Sequence, residues 1–169
     1  MPILPVIKYP HPVLAAKTNE VKTITEAERR LVRDMIQTMH AENGVGLAAN
    51  QVGIAKRIFV ASADQIPGQE LVFLNPRIVR SEGVIKEFEG CLSVPEFYEP
   101  VKRAKRVWMK ALSLDGREVE VKGEGLLSRL FQHEIDHLNG ILFIDRLGFL
   151  KGCRIKTRLA RRVSAKSSD

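Results

Sequence analysis

The 169-residue chain is poor in cysteine, in aromatic residues and in long apolar runs. Each shortage excludes something. Two cysteines, Cys91 and Cys153, allow at most one disulfide, and a chain of this length buries a core without one. No basic segment leading an apolar core marks the N-terminus for export, so the thiols are expected to be reduced in a cytoplasmic protein. Apolar runs such as Ile141–Ile144 fall far short of the roughly 20 residues that cross a bilayer, which excludes a helical membrane span. One Trp, two Tyr and seven Phe give little stacking surface for single-stranded nucleic acid. Disorder is excluded by composition, since 44 % of the residues are hydrophobic. The length is that of one domain, 1–169, with no internal signal for anything but a monomer.

Acidic residues are scarce in one place, the C-terminal end. Eight of the 27 Lys and Arg lie from Arg146 onward, against one of the 20 Asp and Glu, so the body is neutral and the tail carries the whole net charge of +7. Such a basic helix or tail, about 149–169, is either a solvated face or a surface for something anionic such as RNA.

Residues 1–22 are irregular and proline-rich, a strap across the surface. Thr25 and Glu28 have capping-box spacing, and Leu31, Val32, Met35, Ile36 and Met39 recur at helical spacing, predicting a helix over about 26–41 that Asn43-Gly44 stops. The middle reads as strands at 57–61, 71–74, 78–80, 107–114 and 118–121, with Asn75-Pro76 as a break and Asp115-Gly116 as a hairpin turn. From Gly125 the apolar pattern is helical through Leu138, with Gly140 as a left-handed stop, and a last helix is expected over about 149–163. Strands grouped between helices imply α+β: antiparallel sheets packed around a central helix, with a C-terminal helix.

That central helix carries His133-Glu134-Ile135-Asp136-His137, an HExxH motif. Side chains four apart differ by about 40° around a helix, so both imidazoles can grip one ion while Glu134 takes a proton from a water at the metal. A catalytic site needs a third protein ligand and an open position. The extended third-His pattern fails because Phe143 stands there, and a downstream Glu is impossible because Glu134 is the last in the chain. Asp145, Asp169, His11, His40 and Cys91 remain. Cys91 is the strongest of these, because Gly90 before it lets the backbone approach closely and a thiolate binds a divalent ion tightly. His11 and His40 read as structural or solvated, and Cys153 as a small buried hydrophobe. A third segment, Gly44-Val45-Gly46-Leu47-Ala48-Ala49-Asn50-Gln51, lacks the Lys of a P-loop; it offers bared backbone groups and a Gln amide able to donate to an oxyanion.

Together GVGLAANQ, EGCLS and QHEIDHLNG, in this order and over roughly Gly44 to Gly140, resemble peptide deformylase. The resemblance implies that Cys91, His133 and His137 hold one divalent metal, ferrous iron in most bacterial members, with Zn2+, Ni2+ or Co2+ able to replace it. It implies that Glu134 is general base and acid, and that Gln51 and the Leu92 N–H form the oxyanion hole. Gly46 and Gly90 would give backbone contacts to substrate, and Val45, Leu126 and Leu130 would line a methionine pocket. The reaction would remove the formyl group from the N-terminal formyl-methionine of new polypeptides, releasing formate. The family's C-terminal helix is linked to docking at the ribosome, which the basic tail matches in charge. Two other readings stay open: another HExxH zinc peptidase, which the missing downstream ligand disfavours, and a basic ribosome- or RNA-binding module with a structural metal, which would need four protein ligands and a dispensable Glu134.

Overall fold

The computed structural model describes residues 2–166. In chain order the elements are α1 (Glu26–Ala41), β1 (Gly46–Ala48), β2 (Ile58–Ala61), β3 (Leu71–Glu82), β4 (Ile85–Cys91), β5 (Val94–Arg103), β6 (Arg106–Leu112), β7 (Glu118–Glu124), α2 (Leu126–Leu138) and α3 (Phe149–Lys166), with short 3-10 turns at Pro12–Ala15, Ala49–Val52 and Phe143–Arg146. The expected α+β class holds. Five strands form one sheet in the order β1-β2-β3-β6-β7, and β4-β5 form a separate two-stranded ribbon. The five pairings between these strands are antiparallel, and Asn19 and Lys56 form an isolated parallel bridge.

Alternation along β2 shows how the sheet divides the interior. Phe59 and Ala61 face α2, in a core with Phe73, Met109 and Phe131, whereas Ile58 and Val60 face α1, in a core with Met35, Met39 and Leu74. Both faces are covered, so the short strand is apolar at every position. Phe59, Phe73 and Phe131 meet with ring centroids 5.2–6.0 Å apart, which fixes α2 against the sheet. A third core joins the N-terminal strap, the ribbon and α3 through Leu14, Val101, Phe143 and Ile155.

The caps lie where the sequence places them. Thr25 and Glu28 make a reciprocal capping box at the start of α1. At the end of α2, Gly140 takes φ +74°, and the N–H groups of Gly140 and Ile141 return to the carbonyl oxygens of His137 and Asp136 at 3.0 and 2.9 Å. A β-carbon on Gly140 would also lie 2.5 Å from the Ala15 carbonyl oxygen, so glycine is required there twice over.

Three expectations need correction. Asn75-Pro76 does not break the strand, because β3 runs through it with a register shift between Leu74 and Arg77. Asn75 adopts φ +51°, and its side chain bonds the N–H and the carbonyl of Val21 at 2.8 and 2.9 Å, so the strap supplies what the ladder loses. The last helix extends to Lys166, three residues past expectation; the remainder of the proposed tail, 167–169, lies outside the described residues. Cys153 is exposed rather than buried. The ribbon itself was not expected at all.

Candidate metal centre

α2 turns its apolar stripe to the sheet and its polar face to the ribbon. Leu130, Phe131, Ile135 and Leu138 enter the core, which leaves His133, Glu134 and His137 on the side where β4 ends at Cys91. One ligand atom from each of Cys91, His133 and His137 lies within 4.8 Å of the others, the geometry of a set that could hold one metal ion. Cys91 Sγ stands 3.1 Å from His137 Nε2, and the two imidazole centroids are 4.9 Å apart. One thiolate and two imidazoles suit a first-row divalent ion and leave a coordination position for water. Burial pushes the Cys91 thiol up, but His137 and His133 outweigh it and hold the thiol well below its ordinary value.

Glu134 is buried, and its Oε2 has no hydrogen-bond partner. Burial raises its carboxyl to about 7, the two neighbouring imidazoles pulling the other way. A carboxyl poised near neutrality and otherwise unoccupied is suited to taking and returning a proton. Its seat depends on Gly46, where a β-carbon would fall 2.4 Å from Glu134 Oε1.

Gln51 sits in the 3-10 turn after β1. Its Oε1 accepts the Ala48 N–H at 2.8 Å, and its Nε2 donates to Ser93 Oγ at 3.2 Å and faces Cys91 Sγ at 3.6 Å. The amide is thereby oriented with N–H toward the sulfur. Asn50 beside it donates to the His137 carbonyl at 2.6 Å, joining this segment to the end of α2.

A cleft of about 500 Å³ opens over these groups, lined by Gly46, Gln51, Cys91, Leu92, His133 and Glu134. Val45, Gly90, Leu126 and Leu130 complete its wall. Leu130 is buried and Leu126 half exposed, at the mouth. Gly90 carries the ring of Tyr98 directly on its backbone, where any β-carbon would lie 2.4 Å from the ring. Ten of the eleven residues expected at the site line this one cleft, and the eleventh, His137, is buried against Cys91. His40 instead pairs with Glu70, and His11 caps the first 3-10 turn.

The sequence reading missed a buried ion-pair chain behind the ligands. Glu89 Oε2 lies 3.1 Å from His133 Nδ1, and Arg103 makes two hydrogen bonds to Glu89, at 2.9 and 3.0 Å. Arg103 also bonds Asp136, which Arg146 grips from the other side. Burial raises Glu89, yet His133 and Arg103 overcome it and bring its carboxyl down to about 2. The carboxylate fixes which nitrogen of His133 faces the sulfur. Glu89 and Asp136 were visible inside EGCLS and HEIDH; Arg103 and Arg146 stood in no motif. Gln132 was another silent letter: its amide bonds both the N–H and the carbonyl of Ala104, at 3.0 and 2.9 Å, pinning α2 to the β5–β6 connection.

Comparison with known proteins agrees with this geometry. The family model for polypeptide deformylase matches residues 3–152. The chain belongs to the polypeptide deformylase family. A peptide deformylase from Acidobacterium capsulatum is 46 % identical over 163 residues, covering 95 % of this chain and 96 % of that one. Another from Halothermothrix orenii is 48 % identical over 148 residues, 87 % of this chain and 95 % of its own. Among solved structures, a peptide deformylase from Legionella pneumophila superposes with a TM-score of 0.91 at 39 % identity over 99 % of both chains. A peptide deformylase from Ehrlichia chaffeensis in complex with actinonin gives 0.88 at 38 % identity over 96 % and 98 %. The chain is thus a hydrolase of the deformylase family, with one Cys/His/His site able to hold a metal among the described residues. Among the described residues no helix is long and apolar enough to cross a membrane.

Proposed function

We infer that this chain hydrolyses the N-formyl group from the N-terminal formyl-methionine of newly made polypeptides, releasing formate. One observation carries the reading: Cys91, His133 and His137 converge around a single point beside a buried, unpartnered Glu134 at the floor of an open cleft. Cys91, His133 and His137 would hold one divalent ion, ferrous in the cell. When bound, such an ion supplies Lewis acidity to the formyl oxygen and acidifies the attacking water.

Glu134 accepts a proton from the attacking water as it adds to the formyl carbon, then delivers it to the leaving amine. A carboxyl near pH 7 can do both. Charge then develops on the formyl oxygen, where the Gln51 amide and the Leu92 N–H donate to it. Because Gln51 is already held by Ala48 and Ser93, its donor needs little reorganisation. Gly46 and Gly90 present backbone to the substrate, and Val45, Leu126 and Leu130 receive the methionine side chain. A formyl carbon bears only hydrogen, so a narrow site admits it and rejects an internal peptide carbonyl with its bulky Cα.

Three finer points belong to the same reading. The basic α3 docks on the ribosome, a view supported by the charge gathered from Arg146 onward. The enzyme works in the cytoplasm, where its substrate emerges, and it works as a monomer. Formate release from formyl-Met-Ala-Ser by protein purified without oxygen, with metal counted by elemental analysis, tests the central claim. Stoichiometric metal with no formate overturns it. Ribosome co-sedimentation unchanged by deletion of 150–169 overturns the docking.

A further inference from the structure

The N-terminal strap bears on the site through three consecutive residues. Ile7 and Tyr9 donate backbone N–H groups to the carbonyl oxygens of Gln51 and Ser93, at 2.7 and 2.9 Å. Any residue except proline makes such bonds. Lys8 between them acts through its side chain: Nζ donates to the carbonyl oxygen of Leu92 at 2.8 Å, at the rim of the cleft. That carbonyl belongs to the same peptide unit as the Ser93 N–H, which in turn donates to Cys91 Sγ at 3.4 Å. The two hydrogen bonds therefore run in series through one peptide group, from ammonium to oxygen and from nitrogen to sulfur. A cation at the oxygen end polarises the peptide and makes its N–H a stronger donor.

We propose that Lys8 is a positioning residue for Cys91, its ammonium drawing charge off the thiolate through the Leu92–Ser93 peptide and fixing the turn that presents the Leu92 N–H. The inference rests on Cys91, His133 and His137 being the metal-holding set. A thiolate that gives away less charge leaves a bound ion more acidic toward the formyl oxygen. Lys8 itself is exposed and its role is electrostatic, so the effect falls on the chemical step rather than on substrate binding. Lys8→Met keeps the aliphatic stem and removes cation and donor together; Lys8→Gln keeps a neutral donor; Lys8→Arg keeps both.

The test uses the full chain loaded with Co2+, whose thiolate-to-metal charge-transfer absorption reports the electron density on Cys91 Sγ without any turnover. In Lys8→Met the band moves to lower energy, in Lys8→Gln part of the way, and in Lys8→Arg it stays in place. With formyl-Met-Ala-Ser, kcat falls roughly 3- to 10-fold in Lys8→Met with KM within about twofold, a smaller loss than the roughly 10- to 100-fold that follows removal of a partner in direct contact with a ligand. Rescue by arginine separates this from loss of packing. A wild-type band that Lys8→Met leaves unmoved overturns the role of Lys8 alone, as does a Lys8→Gln protein identical to wild type. A wild-type protein with no thiolate band overturns the ligand set, and the role of Lys8 with it.

Discussion

Gly46→Ala adds one methyl group at the most crowded backbone position of the site, and its consequence follows from three distances. The new carbon would lie 2.4 Å from Glu134 Oε1, 2.6 Å from Leu130 Cδ1 and 2.9 Å from Glu134 Cδ. Non-bonded contacts involving carbon relax at about 3.5 Å, so Glu134 has to retreat by roughly 1 Å. Backbone conformation adds nothing, since Gly46 is not among the positive-φ glycines. Displacing a catalytic group by about 1 Å costs on the order of 10²-fold in rate. Overpacking costs about 1–3 kcal/mol, and the stiffer unfolded chain returns about 0.4–1 kcal/mol. The expected net loss is therefore at most ~3 kcal/mol, or roughly 10 °C in melting temperature for a chain of this size. The variant should be folded and about a hundredfold slower. Formate release from formyl-Met-Ala-Ser beside a thermal melt measures both. Gly148→Ala is the control, because a β-carbon there meets nothing within 4 Å, and it should leave kcat/KM within twofold of wild type. A folded Gly46→Ala enzyme within threefold of wild-type kcat/KM would refute the reasoning.

Further outcomes are expected. Glu134→Gln should keep the fold and lose at least as much activity as Gln51→Ala, which should lose about 10²- to 10³-fold in kcat; a Gln51→Ala enzyme at near-normal kcat removes the amide from the oxyanion hole. Arg103→Met removes the cation shared by the buried carboxylates of Glu89 and Asp136, leaving Glu89 to His133 and Asp136 to Arg146, and should destabilise by about 3 kcal/mol in urea titration, so an unchanged midpoint contradicts the ion-pair chain. Stripping the ion with a chelator should raise the number of rapidly alkylated thiols from one, the exposed Cys153, to two, and no increase argues against Cys91 as a ligand. Hydrogen bonds from Lys56 and Thr25 hold Glu28 at about 2, below its unfolded value of 4.5. Its contribution to stability is complete above 4.5 and disappears as pH falls through 2. Glu28→Gln should flatten that part of an acid-unfolding curve, and curves that superimpose there would sink the assignment.

Legibility in the sequence followed how local the signal was. α1 was readable from its capping box and stripe, and α2 from its stripe and Gly140, because each signal lies within a few residues of what it dictates. Cys91 stands out among the donors left open because of Gly90 before it and through the resemblance of EGCLS, but the sequence does not bring it beside His137; only the meeting of β4 with α2 does. The β4–β5 ribbon went unread because Glu, Lys and Pro are mixed through it and its inward residues pack on the strap and α3 rather than on the main sheet. Asn75-Pro76 misled for a related reason: the dipeptide is a turn signal on its own, and a strap more than fifty residues upstream makes it part of a strand. Arg103 and Arg146 carried no signal because an arginine's partners are chosen by tertiary structure.

Among the described residues the ribbon that carries Cys91 shares no strand pairing with the five-stranded sheet, and two strands alone are marginal in water. An ion shared between Cys91 and the two α2 histidines would clasp that ribbon to the main body, so loading the centre and rigidifying the cleft become one event. Amide exchange along 85–103 should slow when the ion binds, while the interior of the large sheet stays as it was, and occupancy could then be read from the motion of a segment that performs no chemistry except at its tip.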